Sequence, residues 1–329
     1  MPSSPPPLPA QPPPLQGAVE RLRRKRAGEP VLTSLPPLDL ALLADLPSLE
    51  LQARYMIEGF LAGRHRSPQK GSSVEFAEYR DYQLGDDLRR VDWRLYGRTD
   101  RLHIKQYEEE TQLRVFVVLD TSASMDFRSR PGVLSKAEFA RIILAALGLL
   151  AQRQGDAFGL GLAGRELTDF LRARASVPHW RTFVGRLDVV KTGGSTALAR
   201  SLEDLAELIP PRSMVAIASD FYEETPRLEA ALRRLRYDRH DLLGLHVVDP
   251  QEVDFDLETG GRFVDAETGA ELKLNAAAVR RGYLQRFETF CAEIAELFHG
   301  VGGDLARLRT DRDPVELLAR YLAQRRKRR

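Results

Sequence analysis

Asp120-Thr121-Ser122-Ala123-Ser124 places one carboxylate and two hydroxyls at alternate positions, directly after the apolar run Val115 to Leu119. A tight loop leaving a buried strand can turn such a set toward a single point. Hard oxygen donors of this kind suit magnesium first, with manganese and calcium also admissible. Two further segments carry matching groups. Gly193-Gly194-Ser195-Thr196 is a glycine loop ahead of a helical pattern, which puts Thr196 at a helix start. Ser219-Asp220 closes a second apolar run, Met214 to Ser219. Each segment taken alone reads as ordinary capping, with hydroxyls at helix starts and an Asp at a strand end. Taken together, and in this order, they point to one divalent-cation site made by Asp120, Ser122, Ser124, Thr196 and Asp220.

That convergence requires an open parallel sheet, because ligands gather in the crevice beyond the carboxyl ends of its strands. The sequence provides the elements. Arg114 to Asp120, Ala157 to Ala163, Met214 to Ser219 and Leu242 to Val248 are β-branched and apolar runs suited to strands buried on both faces. Between them lie helical patterns at Lys136 to Arg153, Trp180 to Val190, Ala197 to Leu208 and Leu228 to Tyr237. Arg165 to Leu171 reads as a further strand, and 262–274 as a hairpin insertion turning at Thr268-Gly269. A long helix follows over Val279 to Phe298, then an edge strand at Leu305 to Leu308 and a closing helix from Pro314 to Arg325 with Asp313 as its N-cap. The predicted class is α/β: a doubly wound, mostly parallel sheet with helices on both faces.

Ahead of this domain, Leu49 to Ala62 has helical spacing with Ser48 as N-cap. Residues 72–110, with aromatics set among charges, read as short strands and turns, a small N-terminal β-containing subdomain over 38–110. The sheet domain then spans 111–324. Residues 1–14 hold eight of the twenty prolines, and 1–37 read as a proline-rich, basic disordered tail. Residues 325–329 form a basic C-terminal tail.

Asp-x-Ser-x-Ser, the threonine of Gly-Gly-Ser-Thr and the later strand-terminal Asp resemble the metal-ion-dependent adhesion site of von Willebrand factor A domains. That resemblance implies direct metal ligation by Ser122 and Ser124. It places Thr196 on the metal directly or through water, and Asp120 and Asp220 mostly through water. The block Gly71-Ser-Ser-Val-Glu-Phe-Ala-Glu-Tyr-Arg-Asp-Tyr-Gln-Leu-Gly-Asp-Asp-Leu-Arg-Arg-Val-Asp-Trp-Arg94, with Arg98-Thr99 and Tyr107-Glu-Glu-Glu110, resembles the signature of the domain-of-unknown-function 58 family. The family resemblance covers about residues 40 to 325. It implies a von Willebrand A-like fold and a working partnership with a MoxR-type AAA+ ATPase in assembling or activating a client protein. Many relatives carry N-terminal membrane helices, whereas this chain carries the proline-rich tail. The alternating charges of the block, Arg80 to Arg98, read as a polar network pinning a subdomain to the sheet.

Composition narrows the alternatives. The net charge is +2, from 49 basic and 47 acidic residues. Ten of the basic residues lie in Arg21–Arg26 and Arg325–Arg329, which leaves 39 against 47 and a mildly acidic body. Specific nucleic-acid binding is therefore not expected. The longest apolar run, Ile142 to Ala151, is too short to span a bilayer, and no signal-peptide pattern opens the chain, so a soluble cytoplasmic protein is expected. A single cysteine, Cys291, excludes a disulfide framework and reads as a small core residue. Gly159-Leu-Gly161-Leu-Ala-Gly164 matches the dinucleotide fingerprint in letters, but its glycines fall inside a strand pattern rather than at a helix start. No Walker-type loop and no nucleophile elbow occur, and the six histidines lack metal-ligand spacing.

The expected function is that of a non-enzymatic, metal-dependent protein-interaction module, with no catalytic residues. A metal-dependent hydrolase using Asp120 and Asp220, and a scaffold with a vestigial metal site, are the alternatives. Two carboxylates and three hydroxyls favour capture of a partner's carboxylate, because hydroxyl-rich ligation leaves a cation electrophilic and short of charge.

Overall fold

The computed structural model describes residues 38–64, 76–83, 91, 93–107, 113–130, 133–195, 197–257, 261–264 and 269–315. The proline-rich tail, most of the signature block, Thr196, the closing helix beyond Val315 and the basic C-terminus lie outside these residues.

The chain opens with α1 (Leu40–Asp45) and α2 (Leu49–Arg64), then β1 (Phe76–Asp81), α3 (Trp93–Thr99) and β2 (His103–Tyr107). Ser48 starts α2 as expected, accepting the Leu51 amide at 3.3 Å. β1 and β2 pair antiparallel, as the strand-and-turn reading of this region required. The segment 93–99 departs from that reading. Val91, Trp93 and Leu95 alternate as a strand would, yet 93–99 is helical. Trp93 and Tyr96, three residues apart, meet edge to face at 6.2 Å, as helical spacing places them and strand alternation would not.

The sheet domain runs β3 (Arg114–Asp120), α4 (Lys136–Gln154), β4 (Ala157–Ala163), β5 (Leu167–Arg174), α5 (Val177–Asp188), α6 (Leu198–Leu208), β6 (Met214–Ser219), α7 (Thr225–Tyr237), β7 (Asp241–Val248), α8 (Pro250–Asp254), the hairpin β8 (Gly261–Val264) and β9 (Glu271–Leu274), α9 (Ala276–Gly300) and β10 (Asp304–Arg309). The six-stranded order is β10-β7-β6-β3-β4-β5. All neighbours are parallel except β4 and β5. β10 takes the expected edge. The helices α5 and α7 start three residues before their apolar patterns, because Pro178 and Pro226 occupy their first turns, where no amide partner is needed.

Side chains of β3 alternate between two cores. Val115, Val117 and Leu119 join α2, α4 and α5 on one face. Phe116 and Val118 join α6, α7 and α9 on the other. A strand apolar on both sides is what the unbroken run at 115–119 encodes. This is the expected doubly wound, mostly parallel sheet with helices on both faces. The fingerprint glycines lie in β4 and in the turn after it. A Cβ on Gly159 would meet the Leu171 carbonyl oxygen and the Phe116 ring, both at 2.6 Å, so that glycine permits close strand and ring approach. Among the described residues no helix is long and apolar enough to cross a membrane.

Candidate functional site

The strand order reverses between β3 and β6, and the candidate residues stand at that switch point. Asp120 ends β3 in register with Ala163, and Leu119 lies beside Ala218, which brings Asp120 next to Ser219 at the end of β6. The Ser219 hydroxyl donates to Asp120 Oδ2 at 2.5 Å, and the Ser122 amide donates to Oδ1 at 2.9 Å. The Asp120 carboxylate is thereby fixed in orientation on both oxygens. The chain then turns into a short 3-10 helix at Ala123–Asp126, which sets the Ser122 and Ser124 hydroxyl oxygens 3.1 Å apart.

The glycine loop reaches the same place by backbone pairing. The Gly193 amide donates to the Thr121 carbonyl at 2.8 Å, and the Ala123 amide donates to the Gly194 carbonyl at 3.0 Å. Gly194 sits at φ 78°, a left-handed conformation that glycine adopts at no steric cost. Asp120, Ser122, Ser124 and Asp220 therefore share one rim with the loop that leads to Thr196. Thr196 itself lies outside the described residues.

Asp220 has a partner that the sequence reading did not include. Lys136, the first residue of α4, places its ammonium 2.7 Å from Asp220 Oδ2 and 2.7 Å from Glu252 Oε1 on α8. Its side chain is 1% exposed, and the face of Tyr222 lies 5.3 Å away. Burial by itself would lower the Lys136 pKa, but the two carboxylates outweigh it and hold it above the ordinary lysine value. Ser135 precedes Lys136 as a capping-box residue with Glu138, which fixes the helix start that aims the ammonium. α8 is fixed in the same way by Asp249 and Glu252. Lys136 was legible only as the first letter of a helix. Its role depends on α8, an element with no apolar pattern long enough to announce it.

Phe221 follows Asp220 at φ 56°, fully buried against Phe298 and His246. A bulky residue held there carries backbone strain, and the surrounding core maintains it. His246 on β7 is pushed down to about 4 by burial, so it is neutral at physiological pH. The Cys291 thiol is pushed up to about 11 by burial and stays protonated.

The charge balance of the rim is uneven. Asp220 and Glu252 share Lys136, the one buried lysine or arginine among the described residues, while Asp120 is held by neutral donors, the Ser122 amide and the Ser219 hydroxyl. Burial first, and then the Asp220 charge, push Asp120 up to about 7. Among the described residues no cation lies within ion-pair distance of Asp120, so its charge has no counter-charge there. A divalent ion fits that deficit, and Ser122 and Ser124 offer neutral oxygens beside it. Among the described residues no three His, Cys, Asp or Glu side chains converge as a metal centre of their own. Hydroxyls and water would therefore complete any shell.

A doubly wound sheet that ends one strand in Asp-x-Ser-x-Ser and its neighbour across the switch point in Asp defines an α/β domain with a polar rim at the carboxyl ends of its strands. The model for "Protein of unknown function DUF58" matches residues 78–290, and the chain belongs to that family. Uncharacterized proteins of Mycobacterium bovis and Mycobacterium tuberculosis are each 30% identical over 293 residues, covering 88% of this chain and 91% of theirs. Among solved structures, BatB of Bacteroides thetaiotaomicron aligns with a TM-score of 0.42 at 15% identity, over 65% of this chain and 99% of that one. An aerotolerance-related membrane protein of Bacteroides fragilis gives a TM-score of 0.42 at 17% identity, over 64% of this chain and 97% of that one. The SpRpn10 VWA domain gives 0.36 at 10%, over 63% and 94%.

Proposed function

We propose that this chain captures a carboxylate of another protein at the rim formed by Asp120, Ser122, Ser124, Thr196 and Asp220, with a divalent cation, magnesium first, as the bridge. The carrying observation is the deficit of positive charge around two facing serine hydroxyls. A cation bound there would supply an electrophilic centre for a partner's Asp or Glu. The chain's own residues do the positioning. Ser219 and the Ser122 amide hold Asp120, while Lys136 holds Asp220 through one oxygen. Neutral Ser122 and Ser124 leave the charge of the ion largely unquenched, which favours an incoming anion.

The partner we assign is a MoxR-type AAA+ ATPase acting with a client protein in the cytoplasm. Hydrolysis by Asp120 and Asp220 is the weaker reading, since each has at least one oxygen committed to a buried donor. Titration calorimetry tests the site: Ser122→Ala with Ser124→Ala should abolish magnesium binding while circular dichroism stays unchanged. Unaltered affinity in that double variant overturns the site. A pull-down with a purified MoxR-type ATPase tests the bridge. Chelation by EDTA and Thr196→Ala should each weaken capture, with magnesium restoring only the wild type. Capture that survives both treatments overturns metal bridging.

A further inference from the structure

Beside the rim, a cleft of about 430 Å³ opens between the ends of β3 and β4 and the loop ahead of α6. Thr121, between the two candidate ligands Asp120 and Ser122, lines this cleft, so the cleft lies beside the rim. Gly193 and Gly194 form part of its wall, and a Cβ on either would meet nothing within 4 Å. That wall is therefore bare backbone with free space before it, and an extended segment could lie against it. The same loop is tied to the rim by the Gly193–Thr121 and Gly194–Ala123 hydrogen bonds. A segment seated in the cleft would press on the backbone that presents Ser122.

The charges at the mouth are unbalanced. Arg165 and Lys191 are both exposed and line the cleft with Glu166, two cations against one carboxylate. Arg165 donates from Nε to the Ser195 hydroxyl at 3.2 Å. Neither cation has a carboxylate within ion-pair distance among the described residues. At this end of the sheet Arg128 is paired with Glu138 at 2.9 Å and Arg186 with Asp169 at 2.6 Å, whereas Arg165 and Lys191 stand together at the mouth of one cleft. The body of the chain is mildly acidic, so an unpaired cationic pair beside the partner-facing rim is a local reversal of sign.

We infer that the Arg165–Lys191 cleft is a docking subsite for an acidic segment of a partner protein, in which Arg165 and Lys191 bind side-chain carboxylates flanking the one captured at the rim. The inference deepens the proposed function and rests on its reading of this rim as the partner-facing surface. The two cations belong to the chain itself, so the subsite acts without any metal. Its worth is orientation and specificity rather than bulk affinity, as for exposed charges generally. Salt should weaken it for the same reason.

The test is fluorescence anisotropy at low ionic strength in EDTA, with a labelled peptide of alternating Glu and Gly as the probe. Gln-for-Glu and oligothymidylate probes serve as controls. Wild type should bind the Glu peptide, and Arg165→Glu with Lys191→Glu should weaken it about tenfold or more. Arg212→Glu with Arg239→Glu makes the same change of charge at the opposite ends of the strands, and it should shift affinity less than about twofold. Ser122→Ala with Ser124→Ala should leave peptide binding in EDTA intact. A failed metal site would thus appear in calorimetry, without touching this result. No binding by wild type overturns the subsite. Equal loss in the two charge-reversed variants also overturns it, and so does tighter binding of oligothymidylate than of the Glu peptide.

Discussion

Replacing Lys136 by Met should strip the rim of the only buried cation among the described residues and destabilise the whole sheet domain. The Lys136 ammonium touches Asp220 and Glu252 at 2.7 Å each, and its side chain and that of Asp220 are 1% and 2% exposed. Losing one partner of a buried pair costs about 3–5 kcal/mol, because the remaining charge stays buried and uncompensated. At about 2–4 °C per kcal/mol for a domain of this size, the melting temperature should fall by roughly 6–20 °C. Glu252 is more accessible, at 13%, so Glu252→Gln alone should cost less, about 1–2 kcal/mol. Combining the two changes removes one charge of each sign, and should recover part of the loss seen with Lys136→Met. The two effects should therefore be non-additive. Thermal melts followed by circular dichroism, without divalent ions, read all three variants. A Lys136→Met protein that melts within about 2 °C of wild type would refute the view that Lys136 is the counter-charge of this rim.

Asp120 gives the pH dependence. Its pKa rises from 3.8 to about 7 on folding, so its contribution to stability is full below the unfolded value and is lost as pH rises through 7. The loss is on the order of 4 kcal/mol over that window. Asp120→Asn should flatten the pH profile of the melting temperature between pH 4 and 7 relative to wild type, and parallel profiles would refute the assignment. Gly159→Ala should destabilise by about 1–3 kcal/mol or more, because the Leu171 carbonyl and the Phe116 ring leave no room for a methyl. Gly164→Ala, whose nearest neighbour would be the Thr168 methyl at 3.2 Å, should cost less than about 1 kcal/mol. Urea denaturation measures both, and equal losses would show that strand packing is not what Gly159 serves.

Much of the architecture was present in the order of the letters. The unbroken run at 115–119 requires a strand buried on both faces, and the structure gives each face its own core. Apolar runs spaced by helical patterns force parallel crossovers, and these carry Asp120 and Asp220 to strand ends at one rim. Asp120, Ser122 and Ser124 were legible because alternate spacing on a tight loop is a local property. The helix at 93–99 was not, because a seven-residue stretch with alternating apolar letters fits two periods equally well.

The electrostatic partnership at the rim arises only when the elements pack. Lys136 lies 84 positions from Asp220 and 116 from Glu252, and nothing in those separations links them. The pairing exists because α4 begins under the end of β6 and α8 closes over both. Ser219 is likewise an unremarkable strand residue until β3 and β6 pair and its hydroxyl meets Asp120. Sequence patterns encode which faces must be buried, since burial repeats with the period of each element. A charge pair inside a protein obeys no such period, because its strength depends on distance and on exclusion of water, both fixed only when the elements pack.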